Sequence, residues 1–542
     1  MHECLYITEV LETIFSYVLL DPASGKASLA ALARTCKAFT DPAAEKLWYR
    51  LLELEHLLRC LPRDCWEDSI VQSYPYQYRT IRFTRELTDA DWKSVAKPRA
   101  WIRELDSWVW SIAPHAQMLY SIKDSLGKPE CLFPNLRVLH WRPSTAFVPW
   151  AELLVGPRLT TLVLSMYPRS STEAEILIDV DVPFSRLRHL DLKINDQHTN
   201  IPSPLSVSFF FAMSLSAIET LALPRVSARA WQHLASLPKL RELKLYAPQA
   251  GDLGTPSSPL PSTPPPFISL RKLLVVDTAI AFALELLTSV PMWHLARLII
   301  GSPEPAGREK MKPLYTAVAS HCASDKLQEL WLGPHYSDWE DEDSEDPPRT
   351  ALADYILADD SLFPLFSFTN LVKITLRPPT GFAIDDTVIR DLVSAWSGVQ
   401  VLRLSSGSSV HSPQPATTLN ALRLLAGHCP YLQVLMLPLN AVNVPDLSSY
   451  GDHRITQTAL VELDVAISPI EDYLAVARFI SDHFTSISSV KTAGDGRWND
   501  PYYEPEHEEE HAEHYYHTCW KKVQEILVHG EVMPEDRYWM TT

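Results

Sequence analysis

A chain of 542 residues is too long for one compact core, so several domains or an extended array are expected. Apolar residues make up 46% and charged residues 21%, the balance of a folded chain and not of a disordered one. Acidic side chains outnumber basic ones by 66 to 48, and the formal charge of -18 argues against nucleic acid or an anionic membrane as partner.

The eight cysteines are scattered without a CxxC pair, which fits reduced thiols in cytoplasm or nucleus. At the N-terminus Leu5, Ile7, Val10, Leu11, Ile14 and Val18 recur at three- and four-residue intervals and predict a helix with one apolar face. Glu9 and Glu12 interrupt it and no basic segment precedes it, so it reads as an amphipathic helix and not a secretory leader. Asp21-Pro22 and Gly25 break the pattern. A second helix is predicted from Ser28 to Cys36, presenting Leu29, Leu32 and Ala33. A third is predicted from Pro42, suited to a first helical turn, through Leu47, Trp48 and Leu51.

From about residue 130 one phrase, L-x-x-L-x-L, keeps returning. Its first apolar positions are Leu136, Leu159, Leu187, Ile218, Leu240, Leu270, Leu295, Leu327, Leu371, Val399, Leu432, Leu460 and, in degenerate form, Ile487. The mean period is about 29 residues, and the longest step, Leu327 to Leu371, carries an insertion. The last two apolar positions lie two apart, so both point to one side of a short strand while their neighbours point to the other. Helical patterns fill the gaps, as at Asp385 to Trp396, Thr417 to His428 and Ile470 to Phe484. One strand-helix unit cannot bury its own apolar face, so the units must stack, strands parallel inside and helices outside. The fold class expected for 132–495 is therefore an α/β solenoid.

Thr255 to Pro266 (TPSSPLPSTPPP) reads as a loop, because repeated proline removes donors and fixes φ. Asp338 to Asp346 (DWEDEDSED) falls in the longest step and reads as a solvated acidic insertion. His507 to His511 (HEEEH) matches the H-E-x-x-H zinc pattern, but its polar surroundings favour a solvated helix leading into a cap over Trp520 to Val528. With no Gly-rich phosphate loop and no G-x-S-x-G elbow, neither a catalytic residue, a metal site nor a cofactor is expected.

The repeated phrase resembles that of leucine-rich-repeat proteins, although the polar Asn expected shortly after each strand appears only at Asn195 and Asn440. The front of the chain resembles an F-box, especially the versions common in mushroom-forming fungi. Arg34, Cys36, Lys37, Phe39, Pro42, Ala43, Leu47 and Trp48 stand in an R-x-C-[KR]-x-[FW]-x-x-P-A-x-x-x-L-W string. Thr8 stands where such domains carry Pro, and Thr is an acceptable helix cap. Leu87 to Leu105 is similar to the helical connector that follows the F-box in those proteins. The resemblance implies four parts: a three-helix F-box-like module at 1–55, a helical connector at 56–131, an irregular leucine-rich-repeat solenoid at 132–495, and a polar His/Glu-rich segment with a C-terminal cap at 496–542.

It further implies a substrate receptor, not an enzyme, that binds the Skp-type linker subunit of a cullin-RING ubiquitin ligase and captures an unidentified protein on its repeats. Leu5, Ile7, Val10, Leu11, Ile14, Leu29, Leu32 and Trp48 would carry linker binding or its supporting core. Strand positions alternating with the leucines would face the concave side and contact the substrate. These are His140, Arg142, His189, Asp191, Lys193, Glu242, Lys244, Tyr246, Glu329, Trp331, Lys373, Arg377, Arg403, Glu462 and Asp464. Tyr246 and Trp331 are the expected anchors, since aromatic residues lead among interface hot spots.

Overall fold

The structure, a computed structural model, describes residues 7–73, 76–107, 114–126, 131–141, 151–166, 186–194, 215–254, 265–302, 306–333, 354–378, 380–405, 414–445, 455–495 and 508–530. Two compact units divide the chain, 1–241 and 242–542. The proline-rich segment 255–264, the acidic stretch 338–346 and Asn195 lie outside the described residues.

The first unit opens with α1 (Thr8–Leu19), α2 (Gly25–Ala33) and α3 (Lys37–Trp48). Thr8 starts α1 and does not cap it; Ile7 occupies the cap position and makes no side-chain hydrogen bond there. The second helix starts at Gly25, earlier than Ser28, because only glycine fits: a Cβ there would lie 2.5 Å from the Val18 carbonyl oxygen of α1. The third starts at Lys37, so Pro42 sits inside it and not in its first turn. Leu11, Phe15, Leu29 and Ala43 form the shared core, and the Phe15 and Phe39 rings meet edge to face at 5.6 Å. Each fully buried leucine or phenylalanine contributes about 1.5–3 kcal/mol.

The stretch 56–131 is not only helical. It contains an antiparallel hairpin, Trp66–Ser73 with Tyr76–Phe83, ahead of α4 (Asp89–Ser94), α5 (Ala96–Trp101) and, further on, α6 (Pro114–Leu126). Asp91 ties the hairpin's exit to α4: its two oxygens accept from the two terminal nitrogens of Arg85 at 2.8 and 2.9 Å, and it completes a capping box with Thr88. Those Arg85 bonds hold the Asp91 carboxyl well below the usual carboxylate range.

The ladder of the first unit consists of β1 (Arg50–Leu51), β2 (Glu104–Ser107), β3 (Val138–Trp141), β4 (Thr161–Met166), β5 (His189–Ile194) and β6 (Thr220–Leu223), parallel and in chain order. Leu51, Leu105, Leu139, Leu162, Leu190 and Leu221 align in register as one buried row. Thus the ladder begins two rungs before the first recurring phrase.

The second unit continues the pattern with β7 (Glu242–Tyr246), β8 (Lys272–Val276), β9 (Arg297–Gly301), β10 (Glu329–Gly333), β11 (Lys373–Leu376), β12 (Val401–Leu404), β13 (Val434–Met436), β14 (Glu462–Asp464) and β15 (Ser489–Lys491). All thirteen phrases form parallel rungs, and the first apolar residue of each is buried. Between rungs run α8 (Ile280–Thr288), α9 (Arg308–His321), α10 (Asp386–Ala395), α11 (Leu419–His428) and α12 (Tyr473–His483), following α7 (Ala228–Ala235) of the first unit. Local chemistry sets their starts. Asp385 caps α10 by accepting from Thr387 and Val388 N–H at 2.8 and 3.2 Å, and Asp472 caps α12 in the same way. Successive helices pack side by side and bury Leu286, Leu314, Leu392, Leu425 and Ile480 behind the leucine rows.

In the longest step, 3-10 turns at Asp359–Ser361 and Phe363–Ser367 lie between β10 and β11, and Phe366 packs edge-on against Trp396 at 5.3 Å. Other polar residues stitch the late rungs where repeat asparagines are lacking. The Gln457 amide donates to the carbonyls of Cys429 and Leu432, while its oxygen accepts from Ala459 and Leu460. The last edge is covered by α13 (Glu508–His529), which buries Cys519, Trp520 and Val523. Gln524 accepts from the Val490 N–H at 3.2 Å, so β15 does not present a free donor there. Among the described residues no helix is long and apolar enough to cross a membrane.

Candidate protein-binding faces

Two surfaces carry side chains that local structure does not use up. On α1, Leu11, Phe15 and Val18 turn into the three-helix core. A second apolar stripe, Ile7, Val10, Ile14 and Tyr17, runs beside it at three- and four-residue spacing. Ile14 and Tyr17 are 39% and 71% exposed, and Leu20, just past the helix, is 74% exposed. A surface helix needs one apolar stripe to hold its place; this one has two.

Of the residues expected to carry linker binding or its supporting core, Leu11 and Leu29 fall in the core, buried where the three helices meet. Leu32 and Trp48 are half-buried supports, and Leu5 lies outside the described residues. Tyr17 and Leu20 were missed, although Tyr17 continues the Ile7, Val10, Ile14 spacing.

The second surface is the side of each ladder away from the leucine rows. In the first unit Asp106 is almost buried there, bound by Arg50 at 2.6 Å, with His140 Nδ1 at 3.8 Å from its other oxygen. His189 is exposed, Asp191 and Lys193 pair at 3.9 Å, and Arg142 lies outside the described residues.

In the second unit the register creates ordered rows. The outermost reads Glu242, Lys272, Arg297, Glu329, Lys373 across β7 to β11. Its charges largely satisfy one another: Lys272 meets Glu242 at 3.1 Å and Arg297 meets Glu329 at 3.3 Å. Such exposed pairs add about 0–1 kcal/mol each, so they organise the face more than they stabilise it. The next row reads Lys244, Leu274, Ile299, Trp331, Thr375, Arg403. Its centre is apolar, and Lys244 lies 4.5 Å over the Tyr246 ring at one end. Arg403 reaches Glu462 at 3.8 Å, and Glu462 also pairs with Lys491 at 2.8 Å. Asp464 is turned back on its own chain, accepting from the Ala466 N–H, and burial pushes its carboxyl up. Lys272, Leu274, Arg297 and Ile299 were missed, although the same alternation marks them.

His511 and His514 on α13 are exposed, whereas His517 is buried against Thr492; His507 lies outside the described residues. No group of His, Cys, Asp and Glu among the described residues is arranged to hold a metal ion. The faces offer rows of apolar and charged side chains set by the strand register. No protein-family model matches the chain, and no curated protein matches it.

Proposed function

We propose that the chain is the substrate-recognition subunit of a Skp-cullin-RING ubiquitin ligase: an F-box receptor whose α1 to α3 module binds a Skp-type linker while its leucine-rich-repeat ladder holds a target protein. The observation that carries this reading is the second apolar stripe of α1, Ile7, Val10, Ile14 and Tyr17, which the three-helix core leaves unused. Such a receptor works by proximity. Tethering a target to the assembly raises its effective concentration near a ubiquitin-charged enzyme, and the receptor itself makes and breaks no bonds.

The test is co-purification of a Skp-type linker with the full chain, wild type against the Ile14→Asp/Tyr17→Asp double variant. Both positions are exposed, so the fold is retained, while placing charge in a desolvated contact lowers linker recovery by at least about tenfold. Undiminished recovery with the double variant refutes the assignment. A second reading, a protein-binding scaffold with no ubiquitin role, draws on the contacts between the helical module and the segment that leads into the second rung. Lys97 on α5 pairs with Asp41 on α3 at 3.1 Å and Arg103 with Glu45 at 3.7 Å, the behaviour of a solenoid cap. Under that reading the wild-type chain brings down no linker.

A further inference from the structure

Rungs β11 and β12 differ from the rest of the ladder, and the difference bears on the chemistry of the captured protein; the inference rests on the sheet side being the capture face. Alternation puts Lys373, Thr375 and Arg377 on that side from β11, and Val401, Arg403 and Ser405 from β12. Ser405 continues the register beside Arg377, its N–H donating to the Leu376 carbonyl at 3.3 Å.

Lys272, Arg297, Arg403 and Lys491 each meet a carboxylate, but Lys373 and Arg377 have none within ion-pair distance among the described residues. The Arg377 Nε is buried with no hydrogen-bond partner, and the Ser405 hydroxyl, on a residue only 1% exposed, also has none. On the other flank of Arg377 the chain has no side chain at all. Gly333 ends β10 at φ 153°, and a Cβ there would lie 2.7 Å from the Arg377 carbonyl oxygen, so the position is closed to any larger residue. This corner therefore offers a guanidinium and a hydroxyl, with an ammonium four residues back along the strand, and among the described residues no carboxylate lies within ion-pair distance of either cation. A guanidinium and an ammonium can only donate, so the complementary group is an anionic acceptor, and a planar guanidinium fits a carboxylate with two parallel bonds.

We propose that Arg377 and Ser405 receive one side-chain carboxylate, and Lys373, four residues back along the same strand, a second, from an acidic segment of the captured protein. Because the chain as a whole carries a formal charge of -18, an acidic peptide is repelled at long range and binds only where cations are locally unmatched. The experiment uses the full chain and a fluorescein-labelled peptide of ten glutamates, followed by fluorescence anisotropy at low and high salt. Wild type binds saturably, Arg377→Glu weakens binding at least about tenfold, and Ser405→Ala weakens it by a few fold. Lys26→Glu, in the first unit, changes nothing. Should Arg377→Glu lose its cooperative thermal transition, Lys373→Glu decides in its place, since that side chain is exposed and makes no ion pair among the described residues. No saturable binding by wild type, or equal affinity in a folded Arg377→Glu or Lys373→Glu variant, overturns the proposal. Neither result affects linker capture through α1, which is measured separately.

Discussion

Replacing Trp520 with alanine is expected to lower the stability of the second unit by about 3–5 kcal/mol, the range for removing a large buried aromatic. Trp520 is fully buried where α13 closes the ladder, and its indole N–H donates to the Ser468 carbonyl at 2.9 Å. Truncation leaves both a cavity and an unpaired buried carbonyl, and each of these costs free energy. The loss reaches beyond one side chain, because α13 also supplies Gln524 to the outer edge of β15. Equilibrium denaturant unfolding of wild type and variant measures it; a difference below about 1 kcal/mol means that α13 does not cap the array.

Acidification is expected to weaken the same corner. Burial, then the neighbouring Lys521 and His514, push His517 down to about 4, against the opposing pull of Asp495. Folded chains therefore keep the imidazole neutral, 2.6 Å from the Thr492 hydroxyl, while unfolded chains take up a proton near an ordinary pKa of about 6.5. Between those values the unfolded state holds more protons, so stability rises with pH there. The contribution is fully present above about 6.5 and is lost as pH falls towards about 4, a change of up to about 3 kcal/mol. Unfolding midpoints recorded across that window should fall as pH falls, and His517→Gln should flatten the slope. An identical slope in the variant means that another group governs it.

Much of the ladder could be read from sequence because its physics is periodic. Leucines two apart must share a side of a strand, and thirteen recurrences left little freedom for the stacking direction. Two rungs escaped notice for physical reasons: Arg50–Leu51 is only two residues long, and Glu104–Ser107 places Ser107 where the last leucine should stand. The hairpin Trp66–Ser73 with Tyr76–Phe83 was hidden by the helical patterns around it, despite Ile70, Val71, Tyr78 and Ile81 marking strand.

The candidate sites were less legible. Periodicity shows that α1 is apolar on neighbouring stripes, but which stripe faces inward depends on where α2 and α3 pack, so Leu11 and Ile14 could not be told apart. On the ladder, alternation identified Lys373, Arg377 and Arg403 as facing one side. Only the register shows that Arg297 is neutralised by Glu329 and Arg403 by Glu462, leaving Lys373 and Arg377 unmatched. Gly333 had no visible role in the sequence; it acquires one through its approach to the Arg377 backbone.

The central claim is tested most directly by mass spectrometry of what co-purifies with the intact, unmodified chain from a eukaryotic cell extract. The account predicts a Skp-type linker in near-equal amount, accompanied by a cullin. Recovery of the chain with protein partners but with neither linker nor cullin would contradict it.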